Sequence, residues 1–228
     1  MKKLLFIPCY NDLFNLKKLL NEIEKLDESK TDILVINDGS SERFNLQLKK
    51  KNLKVISFKH NYGIGFCIKF AINYALINNY NKFCRIDSDG EHNPKYINKI
   101  FKILDHNEFV LGNRKINFKQ NYLKIISKKL ITFIINKSYD LKIFDYNCGM
   151  MGLSKSAMKK LKNDYFINYP EPQIILKLMK QKFQYEVINI NQRKRYSGNS
   201  SISFFNGLDF FLITLFFVLN RILNNSDD

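Results

Sequence analysis

The chain has 228 residues, 45% of them hydrophobic, and its 37 Lys and Arg against 21 Asp and Glu give a net charge of +16. Such a composition excludes a disordered chain, and the length suits one main domain with an appendage. The positive field favours nucleic acid, anionic lipid or phosphorylated small molecules, without choosing among them.

Strand-like and helix-like segments alternate from the start. Leu4–Ile7 reads as a short buried strand that ends at Pro8 and is too short for a secretion signal. Asp12 is placed to cap a helix whose apolar residues Leu13, Leu16, Leu19, Leu20, Ile23 and Leu26 keep helical spacing. Ile33–Ile36 is a second strand and Leu53–Phe58 a third. Gly63–Tyr80 is a helix, Phe83–Ile86 a fourth strand, and Pro94 opens another helix. This order predicts an α/β fold with a doubly wound, mostly parallel sheet flanked by helices. Ligands of such sheets sit beyond the carboxyl ends of the strands. The polar clusters Pro8–Asp12, Asn37–Ser40 and Asp87–His92 all follow strand ends, so they converge on one edge.

The second half is less regular. Phe109–Leu111 is a short strand, Lys119–Ser138 a helix, Met150–Leu153 a strand, Pro172–Gln181 a helix and Tyr185–Ile190 a strand. A basic loop over Asn191–Ser201 precedes the apolar segment Phe204–Leu223. Its unbroken apolar run, Phe210–Leu219, is too short to span a bilayer. An interfacial helix, a dimer contact and a docked core helix are its three readings, and the charge favours an anionic membrane surface. The four cysteines form no C-x-x-C pair, which points to a reducing compartment without disulfides or a zinc site.

Each motif has a functional and a plain structural reading. Asp87-Ser88-Asp89 sets two carboxylates one residue apart, able to share one Mg²⁺ or Mn²⁺ with a diphosphate, and Glu91 adds a third. Its plain reading is an acidic turn. A calcium loop is excluded, because His92 and Asn98 stand where Gly and Glu are needed. Asp38-Gly39 suits a nucleobase or ribose lying close to the backbone; its plain reading is a helix-capping turn with Ser40 or Ser41 as the cap. Gly63-x-Gly65 has Ile68 in place of the third glycine of a dinucleotide fingerprint, so a nicotinamide enzyme is rejected. Gly112-Asn113-Arg114 offers a guanidinium for phosphate, and Arg193 to Ser201 offers a basic loop for a diphosphate or an anionic acceptor. Nucleic acid is the rival partner of that loop, a solvated surface its plain reading.

Together the motifs resemble those of the large family of inverting, nucleotide-sugar-dependent glycosyltransferases that includes the dolichyl- and polyprenyl-phosphate sugar synthases. Ile7-Pro8-Cys9-Tyr10-Asn11-Asp12 is similar to I-P-x-Y-N-E, and Ile36-Asn37-Asp38-Gly39-Ser40 to V-D-D-G-S. Ile86-Asp87-Ser88-Asp89-Gly90-Glu91-His92-Asn93-Pro94 resembles L-D-A-D-x-Q-H-P-P. Gly112-Asn113-Arg114, Asp145 with Gly149, Glu171-Pro172 and Gly198–Ile202 resemble the later G-S-R, D-x-x-S-G, E-P-E and G-x-S-S-I segments. Met150-Met151 stands where synthases carry Phe-Arg, and Glu91 replaces Gln.

The resemblance implies a GT-A fold over residues 1–202; residues 203–228 are read, from their apolar run and the net charge, as a C-terminal apolar helix and tail at a membrane interface. It implies nucleotide binding by Pro8, Tyr10, Asn11, Asp12, Asp38, Gly39, Asp87 and Ser88, and a Mg²⁺ or Mn²⁺ on Asp87, Asp89 and Glu91. Arg114, Arg193, Arg195 and Ser200 are the expected phosphate and acceptor contacts. Arg114 would act in catalysis, and Glu171 would be the base for a hydroxyl acceptor. The implied reaction moves a sugar to polyprenyl phosphate or a lipid-linked glycan, at the cytoplasmic face of an anionic membrane, for cell-envelope glycan synthesis. The same chemistry on a soluble saccharide is the alternative. Nucleic acid is not an expected partner, because unmetallated carboxylate turns repel phosphates. Self-association stays open.

Overall fold

A computed structural model describes residues 1–26, 31–42, 44–46, 52–114, 122–139, 141–143, 145–166 and 170–197, with positions 212, 215, 216, 218 and 219. Seven strands form one sheet: β1 (Lys3–Cys9), β2 (Thr31–Asn37), β3 (Leu53–Ser57), β4 (Lys82–Arg85), β5 (Phe109–Arg114), β6 (Met151–Ser154) and β7 (Tyr185–Ile190). The helices are α1 (Leu13–Lys25), α2 (Ile64–Ile77), α3 (Tyr96–Ile103), α4 (Tyr122–Tyr139), α5 (Lys155–Leu161) and α6 (Pro170–Lys180).

The strand order is β3-β2-β1-β4-β6-β5-β7. All strand pairs are parallel except those of β6, which runs against both β4 and β5. The expected mostly parallel, doubly wound α/β sheet is therefore present. Strands β1 and β2 carry continuous apolar runs, Leu4–Ile7 and Ile33–Ile36, because both sheet faces are covered. Leu4 and Phe6 of β1 join Leu34 and Ile36 of β2 in a core under α2 and α5. Leu5, Ile7 and Cys9 point the other way, joining Ile33, Val35 and the inner face of α1. Register fixes the site edge: Cys9 lies opposite Asn37, and Asn37 opposite Ser57, so the turns after β1 and β2 emerge side by side.

Three local expectations change. Asp12 occupies the N-cap position of α1, but its side chain makes no capping hydrogen bond. The first helical amide, Leu13 N, instead donates to Glu42 Oε1 at 3.0 Å. Among the described residues no helix follows Ser40 or Ser41 before β3, and their hydroxyls engage Asn11. Finally, β5 runs on to Arg114 because Gly112 and Asn113 pair with Ile188 and Asn189 of β7. Helix α5 has no counterpart in the sequence reading. It is only seven residues long, too short to show a period, and is signalled by Ser154, whose hydroxyl accepts from Ala157 N.

Most of the C-terminal apolar segment lies outside the described residues. Its five described positions are helical; Val218 is buried in the core under α2, while Leu212, Phe216 and Leu219 are exposed. No helix among the described residues is long and apolar enough to cross a membrane.

Candidate active site

The turns after β1, β2 and β4 meet at the carboxyl edge of the sheet and are bonded to one another. The Ser88 hydroxyl donates to Asp12 Oδ2 at 2.8 Å, joining the β4 and β1 turns. Ser40 Oγ accepts from Asn11 N at 2.9 Å, and Ser41 N donates to Asn11 Oδ1 at 2.8 Å, joining β2 to β1. Asn11 holds φ at 49°, a left-handed conformation that Asn tolerates. Tyr10 and Asn11 are exposed on the rim, and Pro8 lies just beneath them.

Asp38 is buried, and its carboxylate is engaged by the chain leading into α2. Oδ1 accepts from Tyr62 N and Oδ2 from Gly63 N, both at 2.9 Å. This clamps the 60–63 loop against the second turn. Gly39 is required there: its φ is +68°, and a Cβ would lie 2.3 Å from the backbone carbon of His60.

Arg85 is the hub of the β4 turn. It is buried, its Nε and Nη2 donate to Asp87 Oδ1 at 3.1 and 2.9 Å, and its Nη1 to Glu171 Oε1 at 2.6 Å. Burial opposes the Asp87 charge, but Arg85, with His92 and Arg114, outweighs it and holds the carboxyl below the usual range. Gly149 makes room for this carboxylate, since a Cβ there would stand 2.1 Å from Asp87 Oδ2. His92 is buried beside Asp87, with burial holding its pKa below the ordinary imidazole value.

Asp89 Oδ1 accepts from Glu91 N at 3.0 Å, and its Oδ2 accepts from Arg195 Nη2 at 2.8 Å. Glu91 accepts from Gln192, with Arg114 and Arg195 each 4.0 Å away. Burial and the neighbouring Asp89 raise the Glu91 pKa, and burial raises that of Asp12. Arg114 donates from Nε to Asp145 Oδ2 and from Nη2 to Asn147 O, both at 2.6 Å.

The expected site residues are thus brought together with two exceptions. Arg193 turns away from the carboxylates, its guanidinium bonding Glu22, Gly90 O, His92 O and Tyr196. Ser200 lies outside the described residues. Asp87 is held by Arg85, Asp89 by Arg195 and Glu91 by Gln192, and among the described residues no three His, Cys, Asp or Glu side chains gather as a metal cluster. A Mg²⁺-type ion that shares substrate phosphates needs only one or two protein carboxylates, so the oxygen donors Asp87 and Asp89 fit it without such a cage. Six carboxylates (Asp12, Asp87, Asp89, Glu91, Asp145 and Glu171) surround three guanidiniums, Arg85, Arg114 and Arg195. The edge therefore carries an excess of negative charge that a cation would offset.

The sequence profile of Glycosyl transferase family 2 matches residues 5–162 of the chain. The chain belongs to this family. The chain is similar in sequence to two uncharacterised proteins of Methanocaldococcus jannaschii. MJ1222 is 24% identical over 69% of this chain and 67% of its own length, and MJ0544 is 28% identical over 68% and 73%. Among solved structures, glucosyl-3-phosphoglycerate synthase from Mycobacterium tuberculosis, in complex with Mn²⁺, UDP-glucose and phosphoglyceric acid, aligns with a TM-score of 0.75 at 13% identity. That alignment covers 97% of this chain and 80% of the synthase. S. aureus TarS 1–349 in complex with UDP-GlcNAc aligns with a TM-score of 0.66 at 19% identity, over 100% of this chain and 68% of TarS. These likenesses show that this family 2 glycosyltransferase has a GT-A-like fold.

Proposed function

We propose that this glycosyltransferase moves a sugar, with inversion, from a nucleotide sugar to polyprenyl phosphate or a lipid-linked glycan, with Mg²⁺ or Mn²⁺ held by Asp87 and Asp89. Residues 1–202 are the catalytic unit in this reading, and residues 203–228 belong to the membrane-facing part. The carrying observation is the carboxylate excess at the sheet edge, on a protein that is otherwise strongly basic. A polyanionic nucleotide meets such an edge favourably only with a cation between them. Mn²⁺ and UDP-sugars in the related structures support the same choice. The metal, when bound, neutralises charge that develops on the leaving diphosphate. Arg195, now on Asp89, is the protein cation placed to follow that charge. Asp38 and Gly39 shape the floor for the nucleoside.

Glu171 bears on the acceptor. Its Oε1 is taken by Arg85, and it also sits in the first turn of α6, where a carboxylate suits the helix dipole. Service as a base at that oxygen requires breaking a buried ion pair. An acceptor phosphate is already ionised and needs no base, which favours it over a saccharide hydroxyl. The test is turnover of a nucleotide-sugar panel in Mn²⁺, with and without polyprenyl phosphate. Transfer to the lipid supports the reading; transfer only to soluble saccharides contradicts the acceptor.

The membrane part of the proposal rests on two exposed apolar stripes. Ile126, Leu130 and Phe133 of α4 are exposed at helical spacing, and Leu212, Phe216 and Leu219 repeat that spacing. Helix α4 carries four lysines and no acid. An apolar stripe on a basic helix suits the interface of anionic lipid. The whole protein should pellet with anionic vesicles at low salt, and L130E/F133E should abolish this, since each buried side chain contributes roughly 1.5–3 kcal/mol. Equal pelleting of both forms would exclude the α4 face.

A further inference from the structure

Residues 191–197 leave β7 and cross the Asp87–Glu91 turn as a strap. On the turn side, Arg193 N donates to Glu91 O at 2.8 Å, Arg193 Nε to Gly90 O at 3.2 Å, and Tyr196 N to Asp89 O at 3.4 Å. Gly90, at φ +78°, admits the Tyr196 ring: a Cβ would lie 2.0 Å from Tyr196 Cε2. The other side of the strap is fastened to α1. Glu22 Oε2 accepts from Arg193 Nη1 at 2.7 Å, and Glu22 Oε1 accepts from the Tyr196 hydroxyl. Asn15 Nδ2 donates to Ser197 O at 3.1 Å, and Ser197 Oγ donates to Asn15 Oδ1 at 2.8 Å. Arg195 lies between these anchors and reaches Asp89 Oδ2 at 2.8 Å.

We infer that Glu22, a partly exposed residue of α1 that belongs to none of the sequence motifs, is a positioning residue: it latches the 191–197 strap over the carboxylate turn and thereby sets where Arg195 stands. An isolated surface ion pair contributes little. Glu22 differs because one carboxylate holds two strap side chains at once, and because the strap residue between its anchors meets the carboxylate turn. Holding a charged group in place ahead of reaction is what electrostatic stabilisation of a leaving diphosphate requires. Asn15 extends the latch inward, since its Nδ2 also donates to Asp12 Oδ1 at 2.6 Å, and Asp12 in turn binds Ser88. The strap, α1 and the β4 turn are thus one bonded unit. The catalytic half of this inference rests on the sugar transfer proposed above; the latch itself does not.

The test uses the full-length protein with Glu22→Ala, Tyr196→Phe, Arg195→Ala and the Glu22→Ala/Arg195→Ala double variant. Trypsin cleaves after Arg193, Lys194 and Arg195, so it reports on opening of the strap whatever the enzyme's substrate. Cleavage there should be about ten-fold faster in Glu22→Ala and faster in Tyr196→Phe, with the melting temperature nearly unchanged. Under transfer conditions, Glu22→Ala should lower kcat about five-fold with KM for the nucleotide sugar nearly unchanged, and this effect should vanish in the Arg195→Ala background. Unchanged cleavage overturns the latch. A kcat effect of Glu22→Ala that persists without Arg195, or no kcat effect despite an open strap, overturns the positioning role. If no donor is turned over at all, the proposed reaction fails while the cleavage rates still decide the latch.

Discussion

Replacing Arg85 with Met should lower stability by about 3–5 kcal/mol, the largest loss expected from any single polar residue at this edge. Arg85 is the last residue of β4, with its side chain 5% exposed, and Glu171 is 7% exposed. Three donors of one guanidinium satisfy two carboxylates from different parts of the chain. Met fills much of the same space but leaves the Glu171 charge buried without a partner, and Asp87 loses both of its bonds to Arg85. Such an orphaned charge costs far more than the intact pair contributes. The urea midpoint at neutral pH measures the loss. Adding Glu171→Leu to Arg85→Met should restore a large part of it, because the orphaned charge goes with its carboxylate. A loss below about 1 kcal/mol for Arg85→Met, in the range of an exposed pair, would contradict the hub assignment.

Asp89→Asn should leave the fold intact and reduce sugar transfer by about 10²–10³-fold, the scale seen when one preorganised electrostatic contact to developing charge is removed. Asn retains the oxygen that accepts from Glu91 N, so the turn keeps its shape. What it loses is the second oxygen and its charge, now paired with Arg195 and needed for a cation. Asp87 is a poorer choice for this test, because its bonds to Arg85 make any change there structural as well. Nucleoside-diphosphate release under saturating donor measures the effect, and a near-normal rate would contradict the metal assignment.

Much of this architecture was legible in the sequence for a definite reason. Parallel strands buried on both faces are written as unbroken apolar runs, so Leu4–Ile7 and Ile33–Ile36 fall on β1 and β2 to within two residues at either end, while Leu53–Phe58, interrupted by Lys54, marks the half-exposed edge strand β3. The strand-end rule then places the Asp12, Asp38 and Asp87 turns at one edge from the sequence alone. Side-chain partners across long separations were not legible. Arg85 read as part of an apolar strand, although a charge inside a doubly covered strand is itself a signal that a buried partner exists. Asp12 read as a helix cap, but its carboxylate is drawn to Ser88, 76 residues away, and Glu42 takes over the first amide. Arg193 read as a phosphate ligand, but Glu22 binds it from 171 residues away. Neither spacing nor periodicity encodes these choices, because loop packing settles them.

The central claim is that the Asp87–Asp89 turn binds a nucleotide through a divalent cation. Calorimetric titration of the full-length protein with uridine and guanosine diphosphates, in Mn²⁺ and then in a chelator, tests it most directly. At least one of them should bind saturably in Mn²⁺, with binding weakened at least about ten-fold, or 1.4 kcal/mol, on chelation and similarly weak in Asp89→Asn. Equal affinity with and without metal, or tight binding of a single-stranded oligonucleotide in place of the nucleotides, would contradict it.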